Sequence, residues 1–231
     1  MQEIRLIDIK EEILTDNKKS ADELRSVLKQ KKVFLINLMS SPGSGKTSLI
    51  LKTVAQMQDR FRIGVLEADI DSMVDAEKIA SAGIPSVQLR TGGFCHLDAA
   101  MVQKGLEAFD LSSLDVIIIE NVGNLVCPAE FDTGAILNAM ILSIPEGDDK
   151  PLKYPLMFTI SNVLLINKTD YLPLSDFNVK ACRERARALN PHIAIFETSS
   201  KTGDGISTWT AWLTEEIHKS GFYEKQSIKQ P

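Results

Sequence analysis

Residues 33–47 constrain this chain more than any other stretch. The apolar run Val33 to Met39 leads at once into SSPGSGKT, Ser40 to Thr47, and then into a helical pattern. A strand, a glycine-rich loop and a helix in that order form one βα unit, in which loop N–H groups turn outward at a helix N-terminus. Such a unit needs a parallel sheet around it. The rest of the chain supplies the strands: Ile63 to Leu66, Ser86 to Leu89, Val116 to Ile119, Ala139 to Ile144, Val163 to Asn167 and Ile193 to Phe196 are short apolar runs, with helical patterns between most of them. Runs apolar on both faces belong to a sheet covered by helices on each side. The expectation is an α/β fold: a doubly wound, mainly parallel sheet flanked by helices, forming a single P-loop domain over residues 1–231. An N-terminal helical extension over about residues 1–31 precedes it, with Ser20 and Glu23 as a capping box and Leu24, Val27 and Leu28 as the apolar face. Only the tail from Glu224 to Pro231 reads as frayed.

Composition narrows the class. In 231 residues, 44% are apolar and 25% charged, enough for a well-buried core. A formal charge of −5 with scattered Lys and Arg argues against nucleic acid as a partner. No apolar run approaches the roughly 20 residues a bilayer requires, and the start does not resemble a signal peptide, so no membrane partner and a cytoplasmic location are expected. Three cysteines, at 95, 127 and 182, suit a reducing compartment and point to metal binding or reactivity rather than a disulfide framework.

The phosphate-binding loop carries the first chemistry. Gly43, Ser44, Gly45, Lys46, Thr47 and Ser48 are nucleotide-binding candidates: Lys46 would reach the β- and γ-phosphates as a catalytic cation, and Thr47 would ligate Mg²⁺. Ser40 stands where the Walker pattern has its first glycine. After a later strand, Asn167 to Asp170, NKTD, resembles the guanine-reading motif of GTPases. A carboxylate at Asp170 accepts two guanine hydrogens that adenine does not offer in that arrangement, with Asn167 and Lys168 completing the loop. Thr198 to Lys201, TSSK, resembles the further GTPase loop beside the base, with Ser200 and Lys201 as its candidates. Glu120 opens ENVG, which looks like a DxxG switch with glutamate for aspartate, so Glu120 is a magnesium candidate and Gly123 a γ-phosphate follower. In LEADIDSMVD, Asp69 and Asp75 are candidates for Mg²⁺ or for orienting the attacking water, and Asp71 is a weaker one; Asp75 is the catalytic choice.

The thiols point elsewhere. Cys95 and His96 are adjacent just ahead of a helical pattern, and Cys127 follows ENVG by a few residues. Thiolate and imidazole suit Ni²⁺ or Zn²⁺, but three ligands fall one short of a closed tetrahedral site, which a symmetric dimer would complete. On spacing alone Cys127 also suits a small buried residue before Pro128, and His96 a polar helix cap. Adjacent Cys95 and His96 are poorly placed as a nucleophile and its base. His192, His218 and Cys182 read as ordinary loop, surface and packed residues.

In order, SSPGSGKT, LEADIDSMVDAEKI, TGGFCHLDAAMV, IENVGNLVCPAEFD, EGDDKPLKYP and INKTD resemble the HypB family of nickel-incorporation GTPases over about residues 33–212. The resemblance implies a SIMIBI-class GTPase that helps deliver nickel during [NiFe]-hydrogenase maturation. It implies GTP-dependent homodimers with a nickel or zinc site made from Cys95, His96 and Cys127, and a Lys153 that touches the partner's guanine nucleotide. It further implies a hydrogenase maturation accessory protein and a hydrogenase large-subunit precursor as partners. An N-terminal CxxCGC motif and a histidine-rich tract, found in some members, are not in this sequence, and Ser41 stands where related GTPases place a lysine. No arginine finger is identifiable, so slow intrinsic hydrolysis to GDP and phosphate is expected. The urease-type nickel GTPases share the strategy but carry Cys-Pro-His, whereas here Cys127-Pro128 is followed by Ala129. A GTP-switched binding module with structural cysteines is the other alternative.

Overall fold

A computed structural model describes residues 9–69 and 74–223. Among these residues seven strands form one sheet: β1 (Phe34–Ser40), β2 (Ile63–Asp69), β3 (Ser86–Arg90), β4 (Val116–Glu120), β5 (Leu137–Ser143), β6 (Val163–Asn167) and β7 (Ala194–Glu197). Their order is β3-β2-β4-β1-β5-β6-β7, and every pairing is parallel. All strand C-termini therefore open on one edge, where ligand loops gather in folds of this kind. The helices are α1 (Ile9–Lys31), α2 (Lys46–Met57), α3 (Val74–Ser81), α4 (Ala99–Leu106), α5 (Cys127–Glu130), α6 (Lys150–Lys153), α7 (Pro155–Ile160), α8 (Val179–Leu189) and α9 (Ile206–Lys219).

Alternation along the strands divides the core. Phe34, Ile36 and Leu38 of β1 face α2, α3 and α9 through Leu49, Ile50, Ile79, Trp209 and Leu213. On the other face Leu35 joins Leu24 and Leu28 of α1 and Val102 and Leu106 of α4. Met39 joins a third cluster with Phe158 of α7 and Cys182 of α8. Covered on both sides, the central strands are apolar throughout, which is why they read so plainly as strands.

Two expectations about α1 change. The helix runs from Ile9, and Ser20 lies inside it, its hydroxyl donating to the Asp16 carbonyl 3.0 Å away rather than capping an N-terminus. Val27 is 44% exposed, because Ala21, Leu24 and Leu28 form the buried stripe. β2 also continues three residues past its expected end, carrying Glu67 and Asp69 to the sheet edge in register with Gln88 and Arg90 of β3. Asp71 and the segment Glu224 to Pro231 lie outside the described residues.

Candidate functional site

The loop between β1 and α2 reaches α2 through Gly45, whose φ of 101° is left-handed. A Cβ there would lie 2.7 Å from Asn167 Nδ2, so the position requires glycine both for its conformation and for the neighbour it admits. Asn167, fully buried at the end of β6, donates to the Ser44 carbonyl at 3.0 Å, and Lys168 Nζ donates to the Gly43 carbonyl at 2.7 Å. The NKTD loop thereby braces the phosphate loop. Asn167 Oδ1 also accepts from Thr198 Oγ1 at 3.2 Å and from the Ser200 N–H at 3.3 Å. Asp170 accepts from Ser199 Oγ at 2.7 Å and faces Lys201 Nζ at 3.9 Å. Gly43 to Lys46, Asn167, Lys168, Asp170, Ser200 and Lys201 are thus brought together at one sheet edge. Ser48 sits exposed in the first turn of α2.

Beside them lies a buried polar cluster. Lys46 Nζ donates to Ser40 Oγ at 3.1 Å, and burial lowers the pKa of its ammonium against the raising pull of Glu120 and Asp75. Thr47 Oγ1 donates to Glu120 Oε1 at 2.8 Å. Burial pushes the Glu120 carboxyl up to about 7, and among the described residues Glu120 Oε2 has no hydrogen-bond partner. A hydroxyl and a carboxylate oxygen aimed at one buried space suit a hard cation such as Mg²⁺. Asp75, in the first turn of α3, pairs with Lys78 at 2.9 Å and is close enough to influence both Lys46 and Glu120. Asp69 closes β2 half-buried.

The ENVG segment is anchored at one end and wedged at the other. Asn121 Nδ2 donates to Asn37 Oδ1 at 3.0 Å, and Asn37 Nδ2 donates to Asn138 Oδ1 at 3.1 Å, an amide chain across β4, β1 and β5. At Gly123 an added Cβ would lie 2.9 Å from both the backbone nitrogen and the ring of Pro42, so the segment touches the phosphate loop itself. Asn124 follows; its amide donates to the Cys95 carbonyl at 3.3 Å and accepts from the Val126 N–H at 2.9 Å.

Asn124 therefore joins two loops that carry thiols. The donor atoms of Cys95, His96 and Cys127 all lie within 4.8 Å of one another, and all three residues are half-buried. Tetrahedral donors at bond lengths of about 2.0–2.3 Å are roughly 3.3–3.8 Å apart, so a small closure of the loops accommodates Ni²⁺ or Zn²⁺. Contact with Cys95, then burial, raises the pKa of the Cys127 thiol, and burial lowers that of His96, which favours the neutral form of the imidazole that ligates a metal. His96 stacks on Phe131 with ring centroids 3.8 Å apart. Asp98, not His96, caps α4, accepting from the Met101 N–H at 2.8 Å. Lys153 lies on the surface in α6, paired with Asp149 at 2.5 Å.

Sequence reasoning missed Glu67, Asn124, Ser199 and Phe131. Asn124 and Ser199 stood inside motifs already singled out. Glu67 was hidden because a charged residue after Leu66 reads as the end of a strand.

The sheet, the loop at its switch edge and the buried lysine and threonine define a P-loop nucleotide-binding protein of the nucleotide-hydrolase class. The family profile of the CobW/HypB/UreG nucleotide-binding domain matches residues 34–197, and this chain belongs to that family, among the HypB proteins. The hydrogenase maturation factor HypB of Azotobacter vinelandii is 44% identical over 216 residues, covering 94% of this chain and 71% of that protein. HypB from Helicobacter pylori, in a crystal structure in complex with nickel, superposes with a TM-score of 0.85 at 35% identity, covering 92% of this chain and 100% of that one. The hydrogenase maturation factor HypB of Archaeoglobus fulgidus gives 0.82 at 34% identity, covering 88% and 99%. Among the described residues no helix is long and apolar enough to cross a membrane.

Proposed function

We propose that this protein is a GTP-hydrolysing metallochaperone that delivers nickel during [NiFe]-hydrogenase maturation in the cytoplasm. One observation carries the reading: the cluster of Cys95, His96 and Cys127 is built partly on the segment that runs on from Glu120 and Gly123 at the phosphate loop. Asp170, held by Ser199 beside Lys201, supports guanine as the base. Thr47 and Glu120, with Asp69 and Asp75 nearby, would hold Mg²⁺, which bridges and neutralises phosphate charge. Lys46 sits ready to leave Ser40 for the phosphates, and Asp75 is the candidate for orienting water.

Nickel, or zinc in its place, is cargo. With three donors per chain, pairing two chains on GTP binding would supply six donors at one interface, and Lys153 on the surface is the cation offered to the partner's nucleotide. The accessory protein and large-subunit precursor of hydrogenase maturation are the proposed partners for supply and receipt. Release requires metal affinity to differ between nucleotide states, and linkage makes that difference reciprocal.

The test is Ni²⁺ titration of the full chain in the GDP state and with a non-hydrolysable GTP analogue, using ADP as a base control and Cys95→Ser as a donor control. Affinity should differ between the two guanine states, be unmoved by ADP, and fall by at least roughly 100-fold in the variant. Equal affinity in both guanine states would end the coupling model. Unchanged affinity in Cys95→Ser would favour a switch with structural cysteines.

A further inference from the structure

Glu67 takes no part in the function proposed above, yet the fold buries it against the nucleotide site. Glu67 on β2 and Glu120 on β4 are Cα partners in register, so both side chains leave the same face of the sheet. They are 2% and 4% exposed, and Oε2 of each is buried with no hydrogen-bond partner among the described residues. Neighbouring strands lie about 4.8 Å apart, so the two carboxyl groups share one low-dielectric space, in which two uncompensated negative charges are strongly disfavoured. Lys46 is felt by both carboxyls, but its ammonium is directed at Ser40 Oγ. Thr47 satisfies one oxygen of Glu120 and leaves the other open.

Two open, buried carboxylate oxygens side by side are what a doubly charged, oxygen-seeking ion requires. Mg²⁺ is characteristically held by one or two carboxylates while keeping several waters. We propose that Glu67 and Glu120 form one paired-carboxylate seat for the divalent cation that accompanies the nucleotide, with Glu67 holding a water of the cation's shell. The strand order sets this division of labour: β4 separates β2 from β1, so Glu67 is one strand farther than Glu120 from β1, which leads to Thr47 in the first turn of α2. The assignment rests on the nucleotide reading of the site, and it adds a residue that neither the phosphate loop nor the ENVG motif contains.

The experiment uses Mn²⁺ as the probe, titrated into the full chain saturated with GDP and read by electron paramagnetic resonance. Glu67→Gln should weaken Mn²⁺ binding by about tenfold, in the range for loss of an outer-shell partner, with GDP affinity in EDTA unchanged. Glu120→Gln should weaken it further. Wild-type Mn²⁺ affinity in Glu67→Gln alongside a weakened Glu120→Gln overturns the role of Glu67 alone; wild-type affinity in both removes the cation from Glu120 as well. Loss of GDP affinity in EDTA would place Glu67 on the nucleotide loop rather than the cation and also overturns the proposal. If Glu67→Gln does not fold, the wild-type chain decides: Mn²⁺ with GDP should broaden the carbon-13 signal of the Glu67 carboxyl, and an unbroadened signal overturns the assignment.

Discussion

Gly123 is the residue where the β1–α2 loop and the segment leading to Cys127 meet, and its missing side chain is what allows them to. A methyl group there would press on both the backbone and the ring of Pro42, neither of which is a flexible side-chain end. Gly123→Ala should therefore cost about 1–3 kcal/mol of stability, as overpacking does, and weaken GDP binding by displacing Pro42. Denaturant unfolding and a GDP titration read the two effects separately; wild-type values in both would show that the contact opens at no cost. ENVG stood out in the sequence because a carboxylate and a glycine stand three residues apart after a strand. That Gly123 touches Pro42 was not readable, since a tertiary approach leaves no trace in local spacing.

At the scale of elements, α1 is tied to the loops that carry Cys95, His96 and Cys127 as well as to the core. Asn17 donates to the Asp132 carbonyl at 3.0 Å and accepts from the Ala99 N–H at 3.0 Å, while Arg25 pairs with Asp132. Asp132 follows α5, which begins at Cys127, and Ala99 begins α4, just after His96. One asparagine thus spans both loops of the cluster. Asn17→Ala should lower Ni²⁺ affinity by about tenfold, as loss of an outer partner does, and leave GDP binding at the wild-type value; a Ni²⁺ titration with unchanged affinity would confine α1 to covering the sheet. The strands were legible because both faces are buried, so their apolar runs are continuous. α1 was only half legible: Ser20 and Glu23 make a plausible cap, but packing of Ala21, Leu24 and Leu28 carries the helix through them. Glu67 escaped notice for the converse reason, a charge sitting where the sheet still continues.

For the molecule as a whole, the acidic cluster makes stability depend on pH and on ligand. Burial, then the charge of Glu120, pushes Glu67 up to about 8 from the ordinary 4.5, and Glu120 itself lies at about 7. A carboxyl raised in the folded state binds its proton more tightly there than in the unfolded chain, so its stabilising contribution is full below 4.5 and is lost as pH rises through the folded values. From about pH 7.5, above the ordinary imidazole range, to about pH 8.5, the nucleotide- and cation-free chain should lose stability, and Glu67→Gln should flatten that slope. Urea unfolding across this range is the check; stability that rises with pH would contradict the burial of the pair. The metal cluster carries a different dependence. Cys95 and Cys127 are half-buried and within reach of each other, whereas Cys182 is fully buried with its thiol pushed up to about 12. Mild oxidation of the metal-free chain should consume the first two thiols and spare the third, and bound Ni²⁺ should shield them, as alkylation and mass spectrometry would record. If the chain carries metal as proposed, its capacity would then follow the cell's redox state: a chain that meets oxidant before metal would be taken out of service, and one already loaded would not.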